Sequence, residues 1–256
     1  FYASVQAGRP VHCDAIYGTQ QFDSILYVDA GGSSTNRLST LVSMTGLLDK
    51  IRDVFTKTDA AKAAGLKKSA FSYTHKDGKC PVCAGSGVQR ISMDFMSDVE
   101  LPCEACHGAR YRDEVLEVTY RRKTISDVLD MTVSEAGGFF AGHDALQNAF
   151  ELMAGLGLSH LKLGHAAPSL SSGEARRVRL LTDLLNSKSG KRLYLFDEPS
   201  RGLHHEDVLR LLKLFHRLAE SGHSLLYIEH RPEMIAAANQ HLMLGPGSGD
   251  AGGELM

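Results

Sequence analysis

A chain of 256 residues, 43% apolar and 23% charged, has material for one large folded domain or two medium ones. Its net charge of −2 gives no global attraction to nucleic acid or to an anionic membrane, so any polyanion site has to be a local patch. No apolar run approaches the ~18 residues that span a bilayer, and Phe1-Tyr2-Ala3-Ser4 has neither the basic flank nor the apolar stretch of a signal peptide. A reducing cytoplasm is the expected compartment, where paired cysteines read as metal ligands rather than disulfides.

Along the chain, Ser24-Ile25-Leu26-Tyr27-Val28-Asp29 is the first convincing strand, and the polar tract Ala30 to Asn36 after it has to be loop. Cys13 stands apart from the other cysteines and reads as a buried or idle thiol. From Leu47 to Ala64 the apolar residues Leu47, Leu48, Ile51, Val54 and Phe55 recur at helical spacing, with Gly65 as the stop. Lys62, Lys67, Lys68, Lys76 and Lys79 then face a single acid, Asp77, with Phe71 and Tyr73 interleaved among them. Phosphate contact by Lys67, Lys68 and Lys76, joined by Arg90, is the functional reading of this excess; a solvated charged face is the other.

Cys80-Pro81-Val82-Cys83 and Cys103-Glu104-Ala105-Cys106 are separated by 19 residues, a spacing that lets four thiolates close a tetrahedron around one zinc ion. Glycines follow the first pair at Gly85 and Gly87 and the second at Gly108, where they permit tight turns that aim amides at sulfur. All-cysteine ligation leaves no open position, which makes the expected zinc structural rather than catalytic. Between the pairs, the partial alternation of Val88 to Val99 predicts a hairpin projecting from the metal. From Lys79 to Lys123 basic and acidic residues balance, so the module itself is electrostatically neutral.

Residues 125 to 160 carry helical apolar faces, with breaks expected at Gly137-Gly138, Gly155 and Gly157. Ser169-Leu170-Ser171-Ser172-Gly173-Glu174 then opens an amphipathic helix whose N-terminus can present free amides to phosphate, or carry no more than a capping box. The final order is strand (Leu193 to Phe196), helix (about His205 to Ser221), strand (Ser224 to Ile228), helix (about Pro232 to Asn239) and strand (Leu242 to Leu244), which predicts a mostly parallel, helix-flanked sheet. The first of these strands ends in Asp197-Glu198, suited to holding Mg²⁺ and polarising a water; the second ends at His230, placed to meet a γ-phosphate.

Together these motifs resemble the C-terminal half of the UvrA family of DNA-damage-sensing ATPases. The likeness runs from about Phe22 through the four cysteines, Met93 to Val99, Gly108-Ala109-Arg110-Tyr111, Leu129 to Val133, Ser171 to Glu174, Asp197 to Ser200 and Gly245-Pro246. It implies an α/β ABC-type ATPase head with a helical signature subdomain and an inserted four-cysteine zinc module. On this plan residues 1–46 and 191–256 form the ATP-binding core. Residues 47–190 form the signature subdomain, with the zinc insertion at about 79–112.

Carried over by position, Ser171, Gly173 and Glu174 are the signature that closes on ATP held by a partner head. Asp197 is the magnesium-side acid, Glu198 the water-polarising acid, His230 the switch histidine, and Cys80, Cys83, Cys103 and Cys106 the zinc ligands. The implied cofactors are structural Zn²⁺, ATP and Mg²⁺. The implied partners are double-stranded DNA, a second ATPase head of the same protein, a homodimeric copy and a UvrB-like protein, with no membrane.

Departures from the family pattern bear on activity. No Gly-rich loop ending in Gly-Lys-Ser/Thr occurs in this sequence, Ala30 stands where the family has its Q-loop glutamine, Ser172 replaces a signature glycine, and Arg201 a small D-loop residue. ATP hydrolysis is therefore expected only in a full-length context, in nucleotide excision repair. A non-catalytic DNA-binding or scaffolding paralogue with a decayed ATP site is the alternative. A transporter-associated ATPase would have no reason to carry the four-cysteine insertion.

Overall fold

The computed structural model describes residues 2–7, 9–11, 14–28, 36, 38–93, 96–186, 190–243 and 245. Ala30 to Thr35, Cys13, Asp94-Phe95 and Pro246 with the residues after it lie outside them. Among the described residues no helix is long and apolar enough to cross a membrane. The chain divides into two compact units, Phe1–Asp29 with Ser189–Met256, and Ala30–Lys188.

The first unit contains α1 (Tyr2–Ala7), β1 (Ser24–Val28), β4 (Arg192–Asp197), α10 (His205–Glu220), β5 (Ser224–Ile228) and α11 (Pro232–Ala236). The strands pair in parallel in the order β1-β4-β5, with Ile25 opposite Leu193 and Asp197 opposite Ile228. Leu193, Tyr194, Leu195 and Phe196 are buried in succession, as a central parallel strand covered on both faces requires. Helix α10 covers β4 and β5 through Val208, Leu211, Leu214 and Phe215, whose ring stacks on Phe196 with centroids 4.8 Å apart. The helix expected to reach Asn239 stops at Ala236, and Leu242 and Met243 are exposed and irregular rather than a strand; Leu244 lies outside the described residues.

The second unit contains α2 (Leu41–Met44), α3 (Leu47–Thr56), α4 (Asp59–Ala63), β2 (Val88–Met93), β3 (Met96–Pro102), α5 (Asp113–Leu116), α6 (Ile125–Asp130), α7 (Val133–Phe139), α8 (Asp144–Gly155) and α9 (Ser172–Leu185). The single helix expected from Leu47 to Ala64 is two. The Thr58 hydroxyl donates to the Phe55 carbonyl at 2.8 Å and accepts from the Ala61 amide at 3.2 Å, ending one helix and capping the next. Gly137 and Gly138 do not break the following region either; both lie inside α7. The chain turns at Gly142 in their place and at Gly157 as expected, with φ values of 90° and 70° that suit glycine.

Threonine and serine caps start most of these helices. Reciprocal capping boxes join Thr40 to Ser43, Thr124 to Asp127, Thr132 to Glu135 and Ser171 to Glu174. The core behind them is apolar and aromatic: Leu47, Ile51 and Phe55 of α3 and Leu146, Phe150 and Met153 of α8 are all buried. Phe55 also lies 5.8 Å from Phe71 and 6.3 Å from Tyr120, centroid to centroid. Residues 39–42 belong to this unit because they bond to the segment before α9: the Leu41 amide donates to His165, Val42 to Leu163, and Ala167 to Ser39, all within 3.1 Å.

Candidate metal centre and acidic strand edge

The four cysteines converge. Their sulfurs all lie within 4.8 Å of one another, all four residues are buried, and Cys83 Sγ is 3.7 Å from Cys106 Sγ. A tetrahedron of sulfurs about 2.3 Å from a zinc ion has edges of about 3.8 Å, so the donor set fits that ion in both chemistry and size. The two knuckles are built alike. Positive φ occurs at Ala84 (52°), Gly85 (90°) and Gly87 (79°) after the first pair, and at His107 (48°), Gly108 (89°) and Arg110 (70°) at the same offsets after the second. Each knuckle also closes on the other: the Cys80 amide donates to the Arg110 carbonyl and the Cys103 amide to the Gly87 carbonyl, both at 2.9 Å.

Left-handed backbone at Ala84, His107 and Arg110 costs about 1–3 kcal/mol per residue, which a bound metal would offset. The thiols also respond to one another's proximity. Burial raises Cys83, but the Gly87 amide, 3.3 Å from its sulfur, and the Gly85 amide outweigh burial and hold the thiol down to about 7. At Cys106 burial prevails and pushes the thiol up to about 12. Sulfurs this close cannot all ionise without a cation between them.

The module docks on residues that look like surface in the sequence. Phe71 and Tyr73, interleaved with lysines, are 0% and 1% exposed. A Cβ on Gly85 would sit 1.7 Å from the Tyr73 carbonyl oxygen, whereas one on Gly108 would meet nothing within 4 Å. Gly85→Ala should therefore lose about 3 kcal/mol or more, from the left-handed φ together with the clash, and Gly108→Ala only about 1–2 kcal/mol. Metal retention and thermal midpoints of the two variants measure the difference; equal losses would place the docking contact elsewhere.

Of the proposed DNA contacts, Lys67 and Lys76 are exposed, Lys68 pairs with Asp53 at 2.7 Å, and Arg90 pairs with Glu100 across β2 and β3. The hairpin itself forms with Ile91 opposite Val99, and it leaves Ile91, Val99 and Leu101 exposed.

In the first unit, the pairing of β4 with β5 brings Glu198 and His230 together. His230 Nε2 lies 3.7 Å from Glu198 Oε1, and the Glu198 amide donates to the Ile228 carbonyl at 3.0 Å. Glu198 has φ 47°, a left-handed corner that turns the chain directly after Asp197, the last residue of β4. Arg201 Nη1 holds the other carboxylate oxygen at 3.1 Å.

Glu229, which belongs to none of the motifs above, organises this corner. Its carboxylate accepts from the amides of Ser200 (2.8 Å), His230 (3.0 Å) and Arg231 (3.4 Å), tying the loop after β4 to the loop after β5. Partial burial raises its pKa, but these bonds outweigh burial and hold the carboxyl below the usual range. Its signal in the sequence is an acid directly after a strand and directly before the candidate histidine.

Ser171 is the N-cap of α9, and its amide and hydroxyl each donate to Glu174 Oε2 at 2.8 Å. His160 Nε2 lies 3.1 Å from Glu174 Oε1. Ser172 and Gly173 occupy the first turn, where amides have no carbonyl partner within the helix. Ser171, Gly173 and Glu174 thus share one helix start, while Asp197, Glu198 and His230 share one sheet edge in the other unit.

No family model matches the chain. Curated proteins do: it is 42% identical over 248 residues to the UvrABC system protein A of Halalkalibacterium halodurans, covering 97% of this chain and 26% of that one. With the Thermus thermophilus protein of the same name it shares 41% over 243 residues, 95% of this chain and 26% of that one. The crystal structure of UvrA2 from Deinococcus radiodurans superposes with a TM-score of 0.85 at 37% identity, over 99% of this chain and 31% of that one. The chain is UvrA-like. It spans about a quarter of the length of the curated relatives it matches. As in the UvrA-like reading of the sequence, the fold is mixed α/β, and its four cysteines stand together where a metal can be held.

Proposed function

We propose that this chain is a segment of an ABC-type ATPase that binds double-stranded DNA in nucleotide excision repair and works as a dimer. The observation that carries the reading is the joining of Glu198 and His230 at the end of an apolar parallel strand, within a chain that matches UvrA proteins over nearly its whole length. Asp197, a half-buried carboxylate at the strand end, would hold Mg²⁺, which offsets the charge of phosphate oxygens when bound. Glu198 orients and polarises the attacking water, and His230 stands beside it to meet the γ-phosphate. Ser171 and the amides of Ser172 and Gly173 face the nucleotide of a second head, at a helix start that favours anions. The four cysteines hold a structural zinc from which the hairpin projects toward DNA.

A test of the DNA arm uses the intact protein and double-stranded DNA. Neutralising Lys67, Lys68 and Lys76 together should reduce the log-log salt slope of binding by about 2–3 units, near 0.9 per phosphate contact. Lys68 is expected to contribute least, since Asp53 already pairs with it. An unchanged slope moves the DNA site away from this segment.

A non-catalytic UvrA-like scaffold is the second reading, and one observation favours it. Arg201 occupies a carboxylate oxygen of Glu198, reducing the negative charge that would polarise water.

A further inference from the structure

Arg110 occupies the last position of the second knuckle, and it touches three things at once. Its carbonyl accepts from the amide of the candidate ligand Cys80 at 2.9 Å. Its guanidinium lies over the Tyr73 ring, 5.5 Å from the centroid, and its Nη2 donates to the Gly164 carbonyl at 3.3 Å. Behind it stands a buried network. Tyr73 and Tyr111 meet edge to face at 6.0 Å, and the Tyr73 hydroxyl shares a 2.9 Å hydrogen bond with Thr40 Oγ1, at a threonine that is 0% exposed.

Thr40 and Gly164 belong to two segments joined by an isolated antiparallel bridge. Thr40 bridges Ala166, and the amides of Leu41, Val42 and Ala167 cross between the segments. Gly164 is fixed further by its amide bond to the Leu129 carbonyl at 2.7 Å, and a Cβ there would lie 2.9 Å from the same oxygen. Four residues beyond Ala167 the chain reaches Ser171, the cap of α9.

We propose that Arg110 is a positioning residue that couples the four-cysteine centre to the segment 163–171 leading into α9, so that the state of the metal site sets the order of that segment. Loss of metal frees the left-handed turn that aims Arg110, and with it the stacking on Tyr73 and the bond to Gly164. The consequence for nucleotide rests on the reading of Ser171 as nucleotide-facing; the coupling itself does not.

The test is backbone hydrogen exchange of residues 163–167 in the intact protein, with zinc bound and after chelation, without nucleotide. In the parent, chelation should speed exchange there by about 5-fold, within the span of measured coupling energies. Arg110→Met, which keeps the chain's length and the backbone carbonyl, should retain zinc and show a similar increase with metal bound. Chelation should then add less than about 2-fold, since the link is already cut. An unresponsive parent, or full additivity of variant and chelation, overturns the proposal.

If Arg110→Met loses its metal, Tyr73→Phe takes its place, because it keeps the ring and removes only the hydroxyl bond to Thr40. With zinc bound it should speed exchange at 163–167 and blunt the response to chelation; parental behaviour overturns the proposal. If exchange responds as expected while nucleotide affinity stays at the parental value, the coupling stands and the assignment of Ser171 fails instead.

Discussion

Cys103→Ser in the intact protein is expected to release the metal and unfold Lys79 to Arg112 while the parallel sheet survives. Cys103 is 0% exposed and its sulfur sits within 4.8 Å of the other three, so serine leaves a buried hydroxyl in place of a thiolate and an incomplete tetrahedron. Beyond Arg110 and Tyr111, which pack on Tyr73 at its end, the module has little else to hold it. Its buried cluster consists of the four cysteines, with Ala109 packed against them, and the hairpin turns Ile91, Val99 and Leu101 outward. Structural zinc supplies about 10–16 kcal/mol of apparent binding energy, on the scale of a whole domain's stability. The sheet draws its core from Leu193, Tyr194, Phe196, Val208 and Phe215, all residues of the other compact unit. One zinc per parent chain with four sulfurs near 2.3 Å by X-ray absorption, and in the variant fast exchange throughout 79–112 with a parallel sheet as protected as the parent's, is the expected result. Oxygen or nitrogen in the parent's first shell would sink the assignment.

The parts of the molecule that were legible in the sequence are those whose signal is local or strongly periodic. Cysteine spacing foretold the cluster, apolar runs foretold β1, β4 and β5 and a mostly parallel sheet, and Ser171 to Glu174 announced a helix start. What stayed hidden depends on contacts at long range or on a single hydroxyl. Thr58 splits a helix that periodicity reads as continuous, because one oxygen both caps and terminates. Phe71 and Tyr73 look like aromatic residues on a basic surface until the first knuckle closes over the Tyr73 backbone. Glu229 gains its role only when β4 and β5 pair and Ser200 comes within 2.8 Å. The pair Leu242-Met243 carries apolar side chains yet is exposed and pairs with none of the described strands.

Glu198→Gln should leave nucleotide binding in place and cut turnover of the intact protein by about 100-fold or more, the scale of a lost general base. The substitution keeps the size of the side chain, and the left-handed corner at φ 47° tolerates glutamine as it does glutamate. What changes is charge. A carboxylate 3.7 Å from His230 can accept a water proton or orient the water; an amide can do neither with comparable strength. Stability should hardly move, since the contact with the mostly exposed Arg201 is a surface pair worth about 0–1 kcal/mol. A large kinetic loss without a change in melting temperature would therefore place Glu198 in the chemistry rather than in the fold. If the variant turns over ATP at this site as fast as the parent, Arg201 has the better claim on the Glu198 carboxylate, and the chain is the scaffold whose ATP site has decayed.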